Sequence, residues 1–159
     1  MGSVVYPACE IVTPGRIKHI AGNRFSLGEP EGSESDRLKF ISDILKRAGF
    51  RAPIQKNIRD EIWLKLIGNL SFNPISALTG ATLEQICNDQ GTEAIVRAMM
   101  TEAKIIAEKL GAKINMSIEK RIDGARKVGA HKTSMLQDIE AGKPLSLIHI
   151  SEPTRRVFI

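Results

Sequence analysis

Lys65, Asn69 and Asn73 follow one another at four-residue intervals within Trp63-Leu64-Lys65-Leu66-Ile67-Gly68-Asn69-Leu70-Ser71-Phe72-Asn73-Pro74, a stretch that is otherwise mostly apolar. In a helix, each step of four residues advances about 400°, so the three polar side chains drift only about 40° per step and leave neighbouring turns in the same direction. A lysine so placed must reach water, a partner or a ligand. Burying an ammonium or an amide without hydrogen-bonding partners costs roughly 1–3 kcal/mol or more, so the stripe is expected to line a polar cleft. The same spacing is also met where neighbouring helices satisfy the asparagines and the lysine lies along apolar surface with its head in water. Spacing alone leaves both readings open.

A second stretch, Gly129 to Ile139, places a capping hydroxyl at Thr133 or Ser134 before a helix whose exposed amides and positive end suit a carboxylate or phosphate. As a pattern it is weak, since nearly every helix carries such a cap. Other chemistry is absent from the sequence: there is no phosphate loop, HExxH or nucleophile elbow. Cys9 and Cys87 lie far apart with no CxxC or Cys/His cluster, which points to reduced thiols in a cytoplasmic protein and to no metal site. His19 stands alone in a strand.

The elements that must position these residues fall into two groups. Val4-Val5-Tyr6, Glu10-Ile11-Val12, Ile17 to Ile20 and Arg24 to Leu27 read as short strands separated by turns at Thr13 to Arg16 and near Gly22-Asn23. A helix over Asp36 to Arg47 follows, capped by Ser33 or Ser35, with Leu38, Ile41, Ile44 and Leu45 as its apolar stripe. This is the pattern of the last part of an α/β layer, with a boundary in Phe50 to Lys56. Everything after it reads helical: a central helix from Asn57 to Asn73, which Pro74 should break or kink; a short helix over Leu83 to Cys87 capped by Thr82; a long one over Gly91 to Leu110; and one from Ser117 through Lys127. Ile95, Val96, Met99, Ala103, Ile106 and Leu110 are the expected core face of the long helix, and Ile118, Ile122, Ala125 and Val128 that of the next.

The chain has 159 residues, 42% hydrophobic and 26% charged, enough for one real core and part of a second. Only 4% of residues are aromatic, and no apolar run is long enough for a membrane span, so neither a base-stacking surface nor a membrane partner is indicated. The net charge of +5 and pI near 9.4 suit an anionic partner but do not choose among a phosphorylated cofactor, a small carboxylate and nucleic acid. Basic and acidic residues are interleaved, which favours a solvated surface over a nucleic-acid footprint. The N-terminus has no signal-peptide pattern.

The W-x-K-x-x-x-N-x-x-x-N-P stretch, the preceding Asn57-Ile58-Arg59 and the later H-K-T-S-M-L-Q-D together resemble the 2-dehydropantoate 2-reductase (ketopantoate reductase) family, over nearly all of 3–145. The resemblance implies an α+β chain: residues 1–51 as the trailing part of an NADPH-binding Rossmann-like domain, and residues 52–145 as a mainly α-helical substrate domain of the 6-phosphogluconate dehydrogenase C-terminal-like type. It further implies that Lys65 is the catalytic proton donor to a ketone oxygen and that Asn69 and Asn73 bind substrate. Ser134 would hold the substrate carboxylate, and Ala8 would meet the cofactor near its nicotinamide end. NADPH is the implied cofactor, a small 2-oxo acid the implied substrate, and pantothenate and coenzyme A the implied pathway. A homodimer is compatible with this; nucleic acid and membrane are not expected as partners.

Two departures accompany the resemblance. No G-x-G-x-x-G occurs, so the family's pyrophosphate-binding turn is missing and the chain is expected to be an inactive fragment. From Ser146, where the family pattern would place a glutamate, residues 146–159 match neither the family nor a helix and look like a translated sequencing adapter, a non-native tail. The competing reading is a non-enzymatic basic helical module that binds nucleic acid or a partner protein.

Overall fold

The computed structural model describes residues 1–145; the expected non-native tail, 146–159, lies outside the described residues. The chain divides into two compact units between Trp63 and Leu64.

In the first unit, β1 (Gly2–Val5) pairs antiparallel with β4 (Phe25–Gly28), and β2 (Ala8–Thr13) pairs antiparallel with β3 (Arg16–Ala21) as a separate two-stranded ribbon. α1 (Asp36–Arg47) starts at Ser35, whose hydroxyl accepts the Leu38 amide, and its Lys46 and Arg47 sit where the helix dipole favours cations. Leu38 is sealed against Leu27 and Ala52, with Ile41 and Leu45 beside them, whereas Ile44 points to solvent. The expected stripe of four is therefore three.

The segment read as a boundary, 50–56, turns out to be structural. Residues 51–55 run parallel to β4: Phe25 and Leu27 donate to the carbonyls of Arg51 and Pro53 at 2.7 and 3.0 Å, and Gln55 donates back to Leu27 at 2.7 Å. Pro53 contributes only its carbonyl, so its missing N–H costs the ladder nothing. A proline in five residues hides such a strand from any test of alternation. Gly28 is required where the chain returns, because a Cβ there would lie 2.7 Å from the Ile58 Cβ and 2.8 Å from the Gln55 carbonyl oxygen.

The loop after β4 carries Glu29, only 2% exposed, whose carboxylate meets the Met1 ammonium at 2.8 Å, the Ser35 hydroxyl at 2.6 Å and Arg37 at 2.8 Å. Those donors, the ammonium foremost, then Ser35 and Arg37, hold its pKa down to about 2 against the opposing effect of burial. A carboxyl depressed on folding stabilises fully above its unfolded pKa of about 4.5 and progressively less as pH falls toward 2. Thermal melts should therefore show Glu29→Gln less stable than the parent at pH 6, with the gap closing below pH 4.5; a gap independent of pH would contradict this.

α2 (Ile58–Thr79) begins at Asn57, whose side-chain oxygen accepts the Arg59 amide. Its length corrects the expected end at Asn73, since the helix is not broken at Pro74 and runs on to Thr79. The proline forfeits one hydrogen bond to the preceding turn at a cost of about 3 kcal/mol. Packing on both sides of it compensates: Phe72 and Ile75 lie in or against the core, and the Ser76 hydroxyl donates to the Ala81 carbonyl at 2.7 Å.

In the second unit, α2 packs with α3 (Leu83–Asn88), α4 (Gln90–Lys109) and α5 (Ile118–Val128) around Ile67, Phe72, Ile86, Cys87, Val96, Met100, Ala103 and Ile122. Burying each of the larger side chains contributes about 1.5–3 kcal/mol. The core face of α4 is Val96, Met100, Ala103 and Ala107: Val96 and Ala103 are buried as expected, whereas Ile95, Ile106 and Leu110 are exposed, so the buried face is rotated from the expected one. Val128 of α5 is exposed for the same reason of phase. α6 (Ser134–Glu140) is capped by Thr133, whose hydroxyl accepts the Leu136 amide at 3.3 Å.

Candidate functional site

Because α2 is continuous through Pro74, Lys65, Asn69 and Asn73 stand on successive turns of one helix, about 6 Å apart along its axis. Their surroundings differ. Asn73 is 8% exposed, Lys65 is half-buried, and Asn69 lies open to solvent on the same side of the helix as the exposed Ile62 and Leu66. Among the described residues no sealed side-chain nitrogen or oxygen lacks a hydrogen bond, so the polar groups of this face are satisfied or reach solvent. Burial pushes the Lys65 ammonium below the ordinary lysine pKa, the direction that eases release of its proton.

Ser134 is the exposed first residue of α6 in the same unit. With Thr133 serving as cap, the Ser134 hydroxyl is spared that duty. Ala8 opens β2 in the other unit, half-buried and opposite Ala21, with a register shift between it and Cys9. The structure thus brings Lys65, Asn69 and Asn73 onto one helix face, and leaves Ser134 on a second helix and Ala8 in a separate unit. One neighbour escaped the sequence reading: Glu61 continues the stripe back by another turn, a signal that the i, i+4 spacing already contained.

Two further observations bear on ligands. The crossover from β4 into α1 holds the buried Glu29 carboxylate against the Ser35 hydroxyl, and the G-x-G-x-x-G turn that would cradle a dinucleotide pyrophosphate is not among the described residues. Several of the cations are paired with acids: Arg97 with Glu93 and Glu119, Arg126 with Asp123, Lys132 with Glu140, and Arg37 with Glu29. Such a surface gives no support to the basic-module reading. No described helix is long and apolar enough to cross a membrane.

The fold is a mainly α-helical domain of the 6-phosphogluconate dehydrogenase C-terminal-like type, preceded by the last strands and helix of a Rossmann-type domain. Residues 57–155 match the family described as ketopantoate reductase PanE/ApbA, C terminal. The chain is 54% identical over 147 residues to a 2-dehydropantoate 2-reductase from Mesorhizobium japonicum, covering 92% of this chain and 45% of that protein. Among solved structures, 2-dehydropantoate 2-reductase from Methylococcus capsulatus superposes with a TM-score of 0.82 at 34% identity, over 90% of this chain and 46% of that one. The PanE/ApbA family ketopantoate reductase from Ralstonia eutropha JMP134 gives 0.80 at 26% identity, over 90% of this chain and 47% of that one. The chain belongs to the ketopantoate reductase family, whose members are NAD(P)-dependent oxidoreductases. It spans about half the length of the relatives it matches.

Proposed function

We propose that the chain provides the substrate-binding and proton-donating part of an NADPH-dependent reductase that converts 2-dehydropantoate to pantoate, on the way to pantothenate and coenzyme A in the cytoplasm. One observation carries the reading: in a member of this family, a half-buried lysine and two asparagines share a single face of α2. On this reading residues 1–51 end the nucleotide-binding part, residues 52–145 form the substrate part, and two copies of the complete protein associate as a homodimer.

Reduction of a ketone leaves negative charge on its oxygen. The Lys65 ammonium stabilises that charge as it develops and then transfers its proton from Nζ to the oxygen, which requires a pKa brought toward working pH. Asn69 and Asn73 can each both donate and accept, so they suit the hydroxyl and carbonyl groups of the substrate, while the Ser134 hydroxyl takes the carboxylate. Ala8 meets the cofactor through its backbone near the nicotinamide end. NADPH is the reductant this reading assigns, and the groups that would hold its pyrophosphate are not among the described residues.

The test is a graft in which residues 3–145 replace the matching segment of the Mesorhizobium enzyme. Asn69→Ala or Ser134→Ala in that graft should raise KM for 2-dehydropantoate by about tenfold or more, the worth of one or two lost hydrogen bonds, with kcat changed much less. An unchanged KM in both variants removes these residues from the substrate site.

A further inference from the structure

α4 and α5 are joined by an extended segment in which every second side chain turns inward. Ala112 is buried, and Ile114, Met116 and Ile118 are partly buried, while Lys113, Asn115 and Ser117 are exposed. That alternation has the period of a strand, so it lays the apolar side chains along one side. Ile114, Met116 and Ile118 line a pocket together with Ile67 of α2 and Met100 of α4, both members of the core of the second unit. The space is about 250 Å³, its solvent-open mouth included. Pockets for drug-sized ligands start at roughly 300 Å³, so an occupant here has only a handful of carbons. Met100 and Met116 carry unbranched thioethers, which re-pack readily around an entering chain.

The polar groups around this pocket are few. The Ser117 hydroxyl is committed to capping α5, where it accepts the Lys120 amide at 3.3 Å. The charged lining residues, Lys104 and Arg121, are both cations. Lys104 is held loosely, its Nζ lying 3.8 Å from Glu108 Oε1, beyond hydrogen-bonding distance. A lysine four residues before a glutamate is also the less favourable order for a helical pair. An ammonium beside an apolar pocket, with so weak a competitor, suits a carboxylate. We propose that the pocket binds a short unbranched aliphatic carboxylate, its tail between Met100 and Met116 and its charge on Lys104. None of Lys65, Asn69, Asn73 and Ser134 lines the pocket, so the proposal does not depend on the assignment of the 2-oxo acid site.

The test titrates the full 159-residue chain, labelled with methyl-¹³C methionine, with hexanoate and follows the methyl resonances by NMR. Met1, Met99 and Met135 do not line the pocket and serve as internal controls. Met100 and Met116 should shift saturably, and the other three far less. The uncharged 1-hexanol should bind more weakly than hexanoate by about threefold or more. Lys104→Gln should weaken hexanoate about threefold to fivefold, the worth of a part-exposed ion pair, and leave 1-hexanol unchanged. Lys104→Arg, which keeps the charge, should bind hexanoate as the parent does. The absence of a saturable shift at Met100 and Met116, equal shifts at all five methionines, or equal hexanoate affinity in Lys104→Gln and the parent overturns the proposal. If Lys104→Gln does not fold, the unaltered chain decides: equal affinity for hexanoate and 1-hexanol overturns it.

Discussion

Lys65→Ala, made in a reductase carrying residues 3–145 of this chain in place of the matching segment of the Mesorhizobium enzyme, should lower kcat for 2-dehydropantoate by about 10²–10⁴-fold, the usual worth of a positioned general acid. KM should change far less, because the ammonium is needed most where charge accumulates on the oxygen, late in the reaction. Lys65→Arg should not restore the rate. A guanidinium can stabilise an oxyanion but holds its proton too tightly to give it up near neutral pH. Steady-state kinetics of the two variants separate electrostatic help from proton transfer: a full rescue by arginine would reduce Lys65 to a charge, and an unaltered kcat in Lys65→Ala would remove it from the chemistry.

The second large effect concerns the chain by itself. The 159-residue protein should show no ketopantoate-dependent oxidation of NADPH above the rate without protein, followed by absorbance at 340 nm. The described residues include no G-x-G-x-x-G turn to hold a dinucleotide pyrophosphate. Hydride transfer needs the donor held about 3–3.5 Å from the acceptor carbon and aligned with it, and substrate groups alone cannot supply that. Turnover that disappears with Lys65→Ala would overturn the expectation, since it would mean that these residues suffice to hold a dinucleotide.

How much of this was legible in the sequence varies by element. Caps were legible because each has a local chemical cause: Thr82 and Ser117 cap the helices expected of them, and of the pairs Ser33/Ser35 and Thr133/Ser134 the caps are Ser35 and Thr133. The polar stripe was legible because a buried amide or ammonium is costly wherever it occurs, and its helical phase needs no knowledge of neighbours. Three features were not. Pro74 is tolerated because Phe72, Ile75 and Ser76 are anchored on either side, a tertiary compensation that no local rule contains. The strand-like 51–55 carries a proline at the one place where the ladder asks only for a carbonyl. On α4, Val96 and Ala103 were expected in the core and are buried, but the face turns toward Met100 and Ala107 and leaves Ile95, Ile106 and Leu110 exposed, a phase set by neighbouring helices.

The central claim is that the α2 stripe receives a small 2-oxo acid with Lys65 at its ketone oxygen. The most direct measurement is a crystal structure of the grafted reductase with pantoate and NADP⁺. The account predicts the pantoate 2-hydroxyl within about 3 Å of Lys65 Nζ, hydrogen-bonding distance for such a pair, with Asn69 or Asn73 on the ligand's other polar groups and Ser134 at its carboxylate. Pantoate bound with its 2-hydroxyl away from Lys65, or seated on a surface that does not include α2, would contradict it.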